Sequence, residues 1–275
     1  MKETLTISQE LEDAAERSAK VLLDFDRLPN NPDRNLIKNK LLEQLKRDGL
    51  ITLVVFSCLD WLPEKLASNK PEEFIGETVR ELDLFVPRIN KLKQIREKLL
   101  QSGVTSKLVI ILGDTDLEDY FNLILEQNNI KLDKKLLRQR EESYVSSFIT
   151  RSQERLLSPI EVITWSEIQT LYADTITNIP ETMIMQEAEA MKESYLRGRN
   201  YTNLEFNIPE QVFFDCAKRK ITLYAKQGNA ISDFGGGILL QTEMPWLLRT
   251  QMLKLSGADV SAIYPWIRQE EINDL

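Results

Sequence analysis

The sequence predicts an α/β fold in which helices cover both faces of a parallel β-sheet. Apolar, β-branched runs such as "LITLVVFS" (residues 50–57) and "SKLVIILG" (residues 106–113) are typical of strands buried on both sides. Segments with helical spacing of apolar residues alternate with these runs, which indicates parallel strands joined by helical crossovers. The 275 residues are 42% hydrophobic and 28% charged, a composition that supports a substantial core.

Two amphipathic helices are predicted before the first strand. Apolar residues recur at helical spacing in "LEDAAERSAKVLLDF" (residues 11–25) and in "NLIKNKLLEQLKRDG" (residues 35–49). The second helix is expected to end at Gly49, because glycine readily follows a helix C-terminus. We expect a single domain over residues 1–275, on which residues 1–47 pack as a helical N-terminal extension.

The same alternation continues towards the C-terminus, without internal repeats or low-complexity linkers. The elements predicted after the first strand are, in chain order, a helix ending at Gly103, the strand at 106–113, a charged helical segment at 117–157, a strand at 158–165, helices at 181–200 and 209–228, a strand or loop at 235–242, a helix at 245–257 and an apolar, strand-like segment at 260–266.

The composition excludes several classes of enzyme. The chain contains no histidine, which removes Ser-His-Asp and Cys-His catalysis and histidine-ligated zinc. Its two cysteines are too few for a disulfide framework. The net charge of −8 opposes general binding of polyanions, so a nucleic-acid partner would need a local basic surface. With no apolar signal core or membrane span, we expect a cytoplasmic monomer that binds neither membranes nor DNA.

Polar side chains follow the predicted strands at their carboxyl ends, where ligands gather in parallel sheets. They are Ser57 with Cys58, Asp114 with Thr115, and Glu243 in "ILLQTEMPW". An ionised carboxylate among apolar residues is costly unless it is paired, hydrogen-bonded or protonated. Glu243 therefore either faces water or has a chemical role.

Ser57 has two interpretations from the residues alone. It is a loop serine that caps the next helix, or it is a nucleophile. Without a histidine, a nucleophilic hydroxyl would need an activated ester as substrate and aligned hydrogen-bond donors.

The acidic stretch "GDTDLED" has a metal interpretation and an ordinary one. Asp114, Asp116 and Glu118 could bind a cation, but the same residues suit a helix start with acids near its positive end. We expect no metal. No phosphate-binding glycine loop is present, so a conventional nucleotide site is unsupported.

The segment "KLDKKLLRQR" is strongly basic for an acidic chain. Lys131, Lys134, Lys135 and Arg138 share one face of a helix, and Arg140 follows them. This is either a solvated helix face or a phosphate-binding surface.

The order of these motifs resembles the tRNA-dependent cyclodipeptide synthases over residues 48–266. In that family the nucleophilic serine follows the first strand, where this chain has Ser57 in "VVFSCLD". "VIILGDTD" followed by "KLDKKLLRQR" matches a strand with an Asp-Thr turn before a basic helix, and "VITW" matches a strand that closes on tryptophan. Glu243 and Pro245 match a Glu-x-Pro element, and Tyr264, otherwise an ordinary core aromatic, matches a downstream tyrosine.

The resemblance implies a Rossmann-like fold, similar to the catalytic domain of class I aminoacyl-tRNA synthetases. It implies ping-pong synthesis of a diketopiperazine from two aminoacyl-tRNAs through an aminoacyl ester on Ser57, with no ATP, metal or other cofactor. Glu243 would bind the substrate amine and move protons, and Tyr264 would hydrogen-bond the reacting groups. The basic helix would hold tRNA phosphates.

The chain also departs from the family pattern. Val55 and Leu239 stand where the family usually has a glycine and a tyrosine. Pro265 resembles the subgroup that has Tyr-Pro in place of Tyr-His. The motif pattern of the family assigns no counterpart to the N-terminal helices or to the loop at 195–207.

Two alternatives to a synthase are compatible with the residues. One is a non-catalytic Rossmann-like module that binds tRNA or another RNA, in which Ser57 has no role. The other is an unrelated small-molecule acyltransferase with the same architecture, which would not depend on tRNA.

Overall fold

A five-stranded, all-parallel β-sheet forms the centre of the protein. The computed structural model describes residues 2–28, 31–58, 86–113, 142, 145–146, 148–150, 152–174, 178–197, 209–236, 238–240 and 247–266. The sheet order is β3-β2-β1-β4-β5, which confirms the predicted α/β, Rossmann-like fold. The strands are β1 (Ile51–Cys58), β2 (Ser106–Gly113), β3 (Ile160–Thr164), β4 (Ile238–Leu240) and β5 (Ser261–Ile263).

Helices precede, connect and follow these strands. The described helices are α1 (Lys2–Phe25), α2 (Arg34–Asp48), α3 (Val86–Gln101), α4 (Trp165–Leu171), α5 (Glu181–Arg197), α6 (Glu210–Gly235) and α7 (Leu247–Lys254). Within the charged segment predicted to be helical, residues 142, 145–146, 148–150 and 152–155 are helical. The helix α1 begins at Lys2 and not at residue 11 as predicted. The prediction started too late because "KETLTISQE" is too polar to show a clear helical spacing of apolar residues.

Each face of the sheet is covered by its own apolar cluster. Successive side chains of a strand point to opposite faces, so β1 contributes Leu53 and Val55 to one cluster and Val54 and Phe56 to the other. Helices α1, α2 and α3 cover the first face, with Leu22, Leu41 and Leu92 fully buried there. Helices α6 and α7 cover the second face. The N-terminal helices thus share the main core with the sheet.

The helix α6 is longer than predicted. The sequence predicts that it ends at Gly228, but it continues to Gly235 and ends at Gly236, whose φ of 72° is left-handed. Gly228 is needed for packing: a Cβ built there would lie 1.8 Å from the carbonyl oxygen of Leu253. The close crossing of α6 and α7 therefore overrides the local tendency of glycine to stop a helix.

The strand β3 is shorter than predicted because Thr164 caps the helix that follows it. The Thr164 hydroxyl accepts a hydrogen bond from the Glu167 N–H, and the Glu167 carboxylate accepts one from the Thr164 N–H. Trp165 therefore begins α4 instead of closing the strand.

Candidate functional site

The carboxyl ends of β1, β4 and β5 lie side by side at the point where the strand order reverses. From β1 the chain adds β2 and β3 on one side of the sheet, and β4 and β5 on the other. Ligands of open α/β sheets bind in the crevice at such a switch point. Ser57 lies near the end of β1, and Glu243 and Tyr264 follow β4 and β5 in the sequence.

Ser57 lies inside β1, at the position before its last residue. Its backbone pairs with Leu112 of β2, and Cys58 pairs with Gly113. An N-cap residue directly precedes a helical turn, whereas Ser57 is followed by another strand residue. Ser57 is therefore a strand residue, not the loop residue that the helix-capping interpretation assumed.

Tyr264 directly follows β5 and is only 4% exposed. Val55 of β1 pairs with Leu240 of β4, and Leu240 pairs with Ile263 of β5. Ser57 thus lies two residues past this level in β1, and Tyr264 lies one residue past it after β5, on strands that β4 separates. Two strand spacings amount to roughly 10 Å between the backbones of β1 and β5.

The Tyr264 phenol is held in its protonated form. Burial raises its pKa; the Thr250 hydroxyl, whose oxygen lies 3.4 Å from the phenolic oxygen, acts in the opposite direction. The negative charges of Asp33 and Asp26 raise the pKa further. At neutral pH the phenol can therefore donate a hydrogen bond or a proton to a reacting group.

Several predicted site residues lie outside the described residues. β4 ends at Leu240 and α7 begins at Leu247, so Glu243 falls between the described ranges. The same holds for the acidic residues Asp114, Asp116 and Glu118 and for the basic residues Lys131, Lys134, Lys135, Arg138 and Arg140. Their roles remain proposals.

Leu239, which stands where the family has a tyrosine, is part of the apolar core. It is 1% exposed and pairs with Val54 of β1 and Ala262 of β5. The paired residues on β1, β4 and β5 are all apolar, and the leucine side chain at position 239 supplies no hydrogen-bonding group to a substrate. Val55, at the family's glycine position, is also fully buried.

A tryptophan packs against the carboxyl end of β2. Gly113 is the last residue of β2, and a Cβ on it would lie 3.2 Å from ring atoms of Trp165. Any side chain at position 113 would crowd the indole. The small residue at this strand end therefore has a packing reason.

The residues that hold Tyr264 in place were not predicted from the sequence. Asp26 accepts a hydrogen bond from the Tyr264 N–H at 3.3 Å, and Thr250 lies against the phenol. The only signal was the polar composition of "DRLPNNPD" between the first two helices, which is typical of a turn.

Within the described ranges, no group of three or more histidine, cysteine, aspartate or glutamate residues could hold a metal ion. None of the described helices has the length and apolar character needed to cross a membrane.

No protein-family model and no curated protein matches the chain. Among solved structures, the chain is similar to PvcA from Pseudomonas aeruginosa, with 11% identity, a TM-score of 0.47, and coverage of 92% of this chain and 84% of that chain. It is also similar to a CDPS (cyclodipeptide synthase) from Fluoribacter dumoffii, with 8% identity, a TM-score of 0.42, and coverage of 78% of this chain and 88% of that chain. Likenesses at this level assign no activity.

Proposed function

We propose that the protein is a tRNA-dependent cyclodipeptide synthase. The observation that supports this most directly is the strand order, because adjacent carboxyl ends of β1, β4 and β5 lead to the serine, the glutamate and the tyrosine of the motif pattern. The same three residue types supply a nucleophile, a proton carrier and a hydrogen-bond donor. No histidine is needed for this chemistry.

The proposed reaction begins with Ser57. Its oxygen attacks the carbonyl carbon of an aminoacyl-tRNA, a new ester bond forms, and the bond to the tRNA ribose oxygen breaks. The departing ribose oxygen takes up the proton that the serine loses. The aminoacyl ester is already activated, so this step needs no ATP.

Two further acyl transfers complete the product. The amine of the aminoacyl-serine attacks the ester of a second aminoacyl-tRNA, which releases the second tRNA and leaves a dipeptide on Ser57. The free amine of that dipeptide then attacks the serine ester, closes a diketopiperazine and regenerates the hydroxyl. Ring closure is intramolecular and so gains from proximity.

Glu243 and Tyr264 have separate roles in these steps. Each attacking amine must be neutral, so Glu243 would bind the ammonium and accept its proton. The buried, protonated phenol of Tyr264 would donate a hydrogen bond to the oxygen on which charge develops. Lys131, Lys134, Lys135, Arg138 and Arg140 would hold tRNA phosphates, which makes binding salt-sensitive and largely independent of the amino acid.

Mass spectrometry of culture medium from cells that express the protein tests the proposal. We expect a cyclic dipeptide with the intact protein, and none with Ser57→Ala. Ser102→Ala is the matched control, because Ser102 precedes the opposite, amino end of β2 and its hydroxyl donates to the backbone oxygen of Leu99. A folded wild-type protein that yields no serine-dependent cyclic dipeptide would overturn the proposal.

The reconstituted reaction distinguishes the two alternatives. With purified protein and charged tRNA, ribonuclease treatment should abolish product formation. An acyltransferase that acts on small molecules would be insensitive to ribonuclease. A non-catalytic RNA-binding module would bind tRNA equally well with Ser57→Ala and would release no amino acid from it.

A further inference from the structure

The strand β5 is the edge of the sheet, with β4 as its neighbour on one side. Backbone groups of alternate residues in an edge strand point away from the sheet and need other partners. In β5 these are the N–H and C=O groups of Ala262 and, directly after the strand, of Tyr264. All of them are bonded by the connection between α1 and α2.

That connection takes the place of a sixth strand. Asp33 Oδ2 accepts from the Ala262 N–H at 2.9 Å, and Asn31 Nδ2 donates to the Ala262 oxygen at 2.8 Å. Two residues further along, where the backbone groups again point away from the sheet, Asp26 Oδ1 accepts from the Tyr264 N–H at 3.3 Å. The Arg27 N–H donates to the Tyr264 oxygen at 3.1 Å.

Asp26 is itself fixed from several directions. Its side chain is fully buried, and Asn31 Nδ2 donates to its second oxygen at 3.0 Å. The Leu28 N–H donates to its first oxygen at 3.2 Å, and the Arg34 guanidinium lies 3.5 Å away. A carboxylate held in this way defines a single position for the backbone that it binds.

We propose that Asp26 is a positioning residue for Tyr264, and that the connection at residues 26–33 sets where the phenol meets the substrate. The inference rests on the proposed function only for the catalytic role of the phenol, and the positioning itself is argued from the contacts. It assigns a role to the N-terminal extension, which the motif pattern leaves without one. Tyr264 is held by its backbone at residues 26–33 and by its hydroxyl at α7.

A comparison of two conservative substitutions separates position from charge. Asp26→Asn keeps an acceptor where Oδ1 meets the Tyr264 N–H, although it loses the bond from Asn31. Asp26→Glu keeps the charge but displaces the carboxylate by one methylene. We expect Asp26→Glu to slow product formation by roughly tenfold or more, and Asp26→Asn to slow it less. A role of charge alone would reverse this order and overturn the proposal.

The same substitutions in the Tyr264→Phe background identify the route of the effect. If Asp26 acts through the phenol, neither substitution should change the remaining rate by more than about twofold there, because coupled sites are not additive. Equal losses in both backgrounds would mean a merely structural role. The exposed Asp24, two positions away on α1, gives the matched control Asp24→Glu.

A spectroscopic measurement keeps the inference separate from the activity. In protein labelled with fluorotyrosine, the Tyr264 resonance is the one missing from Tyr264→Phe. We expect Asp26→Glu to shift this resonance and Asp24→Glu to leave it unchanged. If Asp26→Glu does not fold, Asn31→Ala replaces it, because this change removes the amide that joins Asp26 to Ala262.

The outcomes separate the two claims. A shifted resonance in a protein that makes no cyclic dipeptide would retain the positioning role and reject the proposed function. An unchanged resonance in an active enzyme would reject the positioning role alone.

Discussion

The phenolic oxygen of Tyr264 lies 3.4 Å from Oγ1 of Thr250, so a hydrogen bond joins the end of β5 to α7. The helix α7 begins at Leu247, directly after the "EMPW" segment that carries Glu243. The contact therefore links the proposed hydrogen-bond donor to the helix that follows the proposed proton carrier.

Thr250→Val should reduce turnover without loss of the fold. Valine has nearly the shape of threonine but cannot bond the phenol, and one hydrogen bond of about 1 kcal/mol corresponds to roughly fivefold in rate. The rate of cyclic-dipeptide formation is the measurement. Thr222→Val on the exposed side of α6 is the control, since the Thr222 hydroxyl donates to the Lys218 oxygen of its own helix. A wild-type rate in Thr250→Val would show that this hydrogen bond does not contribute to catalysis.

Glu243→Gln should retain the fold and lose cyclic-dipeptide formation. Glutamine can still accept a hydrogen bond, but it cannot neutralise an ammonium or take its proton. Circular dichroism checks the fold, and mass spectrometry checks the product. Wild-type yield from the folded variant would show that another group handles the amine.

Tyr264 should make the protein less stable at alkaline pH. Burial raises its pKa above the usual value of about 10, so over the pH range above that value the folded chain keeps a proton that the unfolded chain has lost. The free energy of unfolding therefore falls as the pH rises through this range.

Urea unfolding of wild type and Tyr264→Phe at about pH 9 and pH 11 measures this effect. The phenylalanine variant should lose less stability between the two pH values. Parallel losses in both proteins would mean that the Tyr264 phenol has the same proton affinity when folded and unfolded.

Gly228→Ala should destabilise the protein by roughly 3 kcal/mol or more, because α6 and α7 would have to separate. The added Cβ would lie 1.8 Å from a backbone oxygen of α7, which cannot rotate away as a side-chain end can. Gly257→Ala is a useful comparison: its φ of 79° strains an alanine, but nothing lies within 4 Å of the added Cβ. Thermal unfolding should rank Gly228→Ala as clearly worse, and equal effects would contradict the close crossing.

Gln227→Met should stabilise the protein by about 1–2 kcal/mol. Gln227 is fully buried in α6, and neither atom of its amide has a hydrogen-bond partner within the described part of the chain. Methionine has a similar shape without the unmet polar groups. Gln211→Met, on the exposed first turn of the same helix, is the control. A less stable Gln227→Met protein would mean that the amide is bonded in solution.

The longer strands could be predicted because their burial on both faces requires a continuous run of apolar residues in the local sequence. β1 and β2 are buried on both faces, so nearly every residue is apolar and many are β-branched. β4 and β5 have three residues each, too few for any period, and their strand character comes from pairing with distant neighbours. The end of α6 was wrongly predicted at Gly228 for the same reason, since the residue that requires a glycine there, Leu253 of α7, is distant in sequence.

Some residues of the candidate site could be predicted from the sequence and others could not. Ser57 and Tyr264 follow apolar runs and could be selected as strand-end residues, and Glu243 could be selected as a carboxylate among apolar neighbours. Asp26 and Asp33 could not, because a side chain that bonds the backbone of an edge strand has no characteristic spacing. Their partners are also more than two hundred residues away along the chain, as in the Asp33–Ala262 bond with its separation of 229 residues.

The bonds between residues 26–33 and β5 also constrain when the protein can finish folding. Asn31 is made early in translation, whereas its partner Ala262 lies 231 residues later. On the ribosome, the earlier strands can pair while the carboxylates of Asp26 and Asp33 still await their partners. Contacts of such long sequence separation form slowly. We therefore expect β5 to dock late in folding, after the earlier strands have paired.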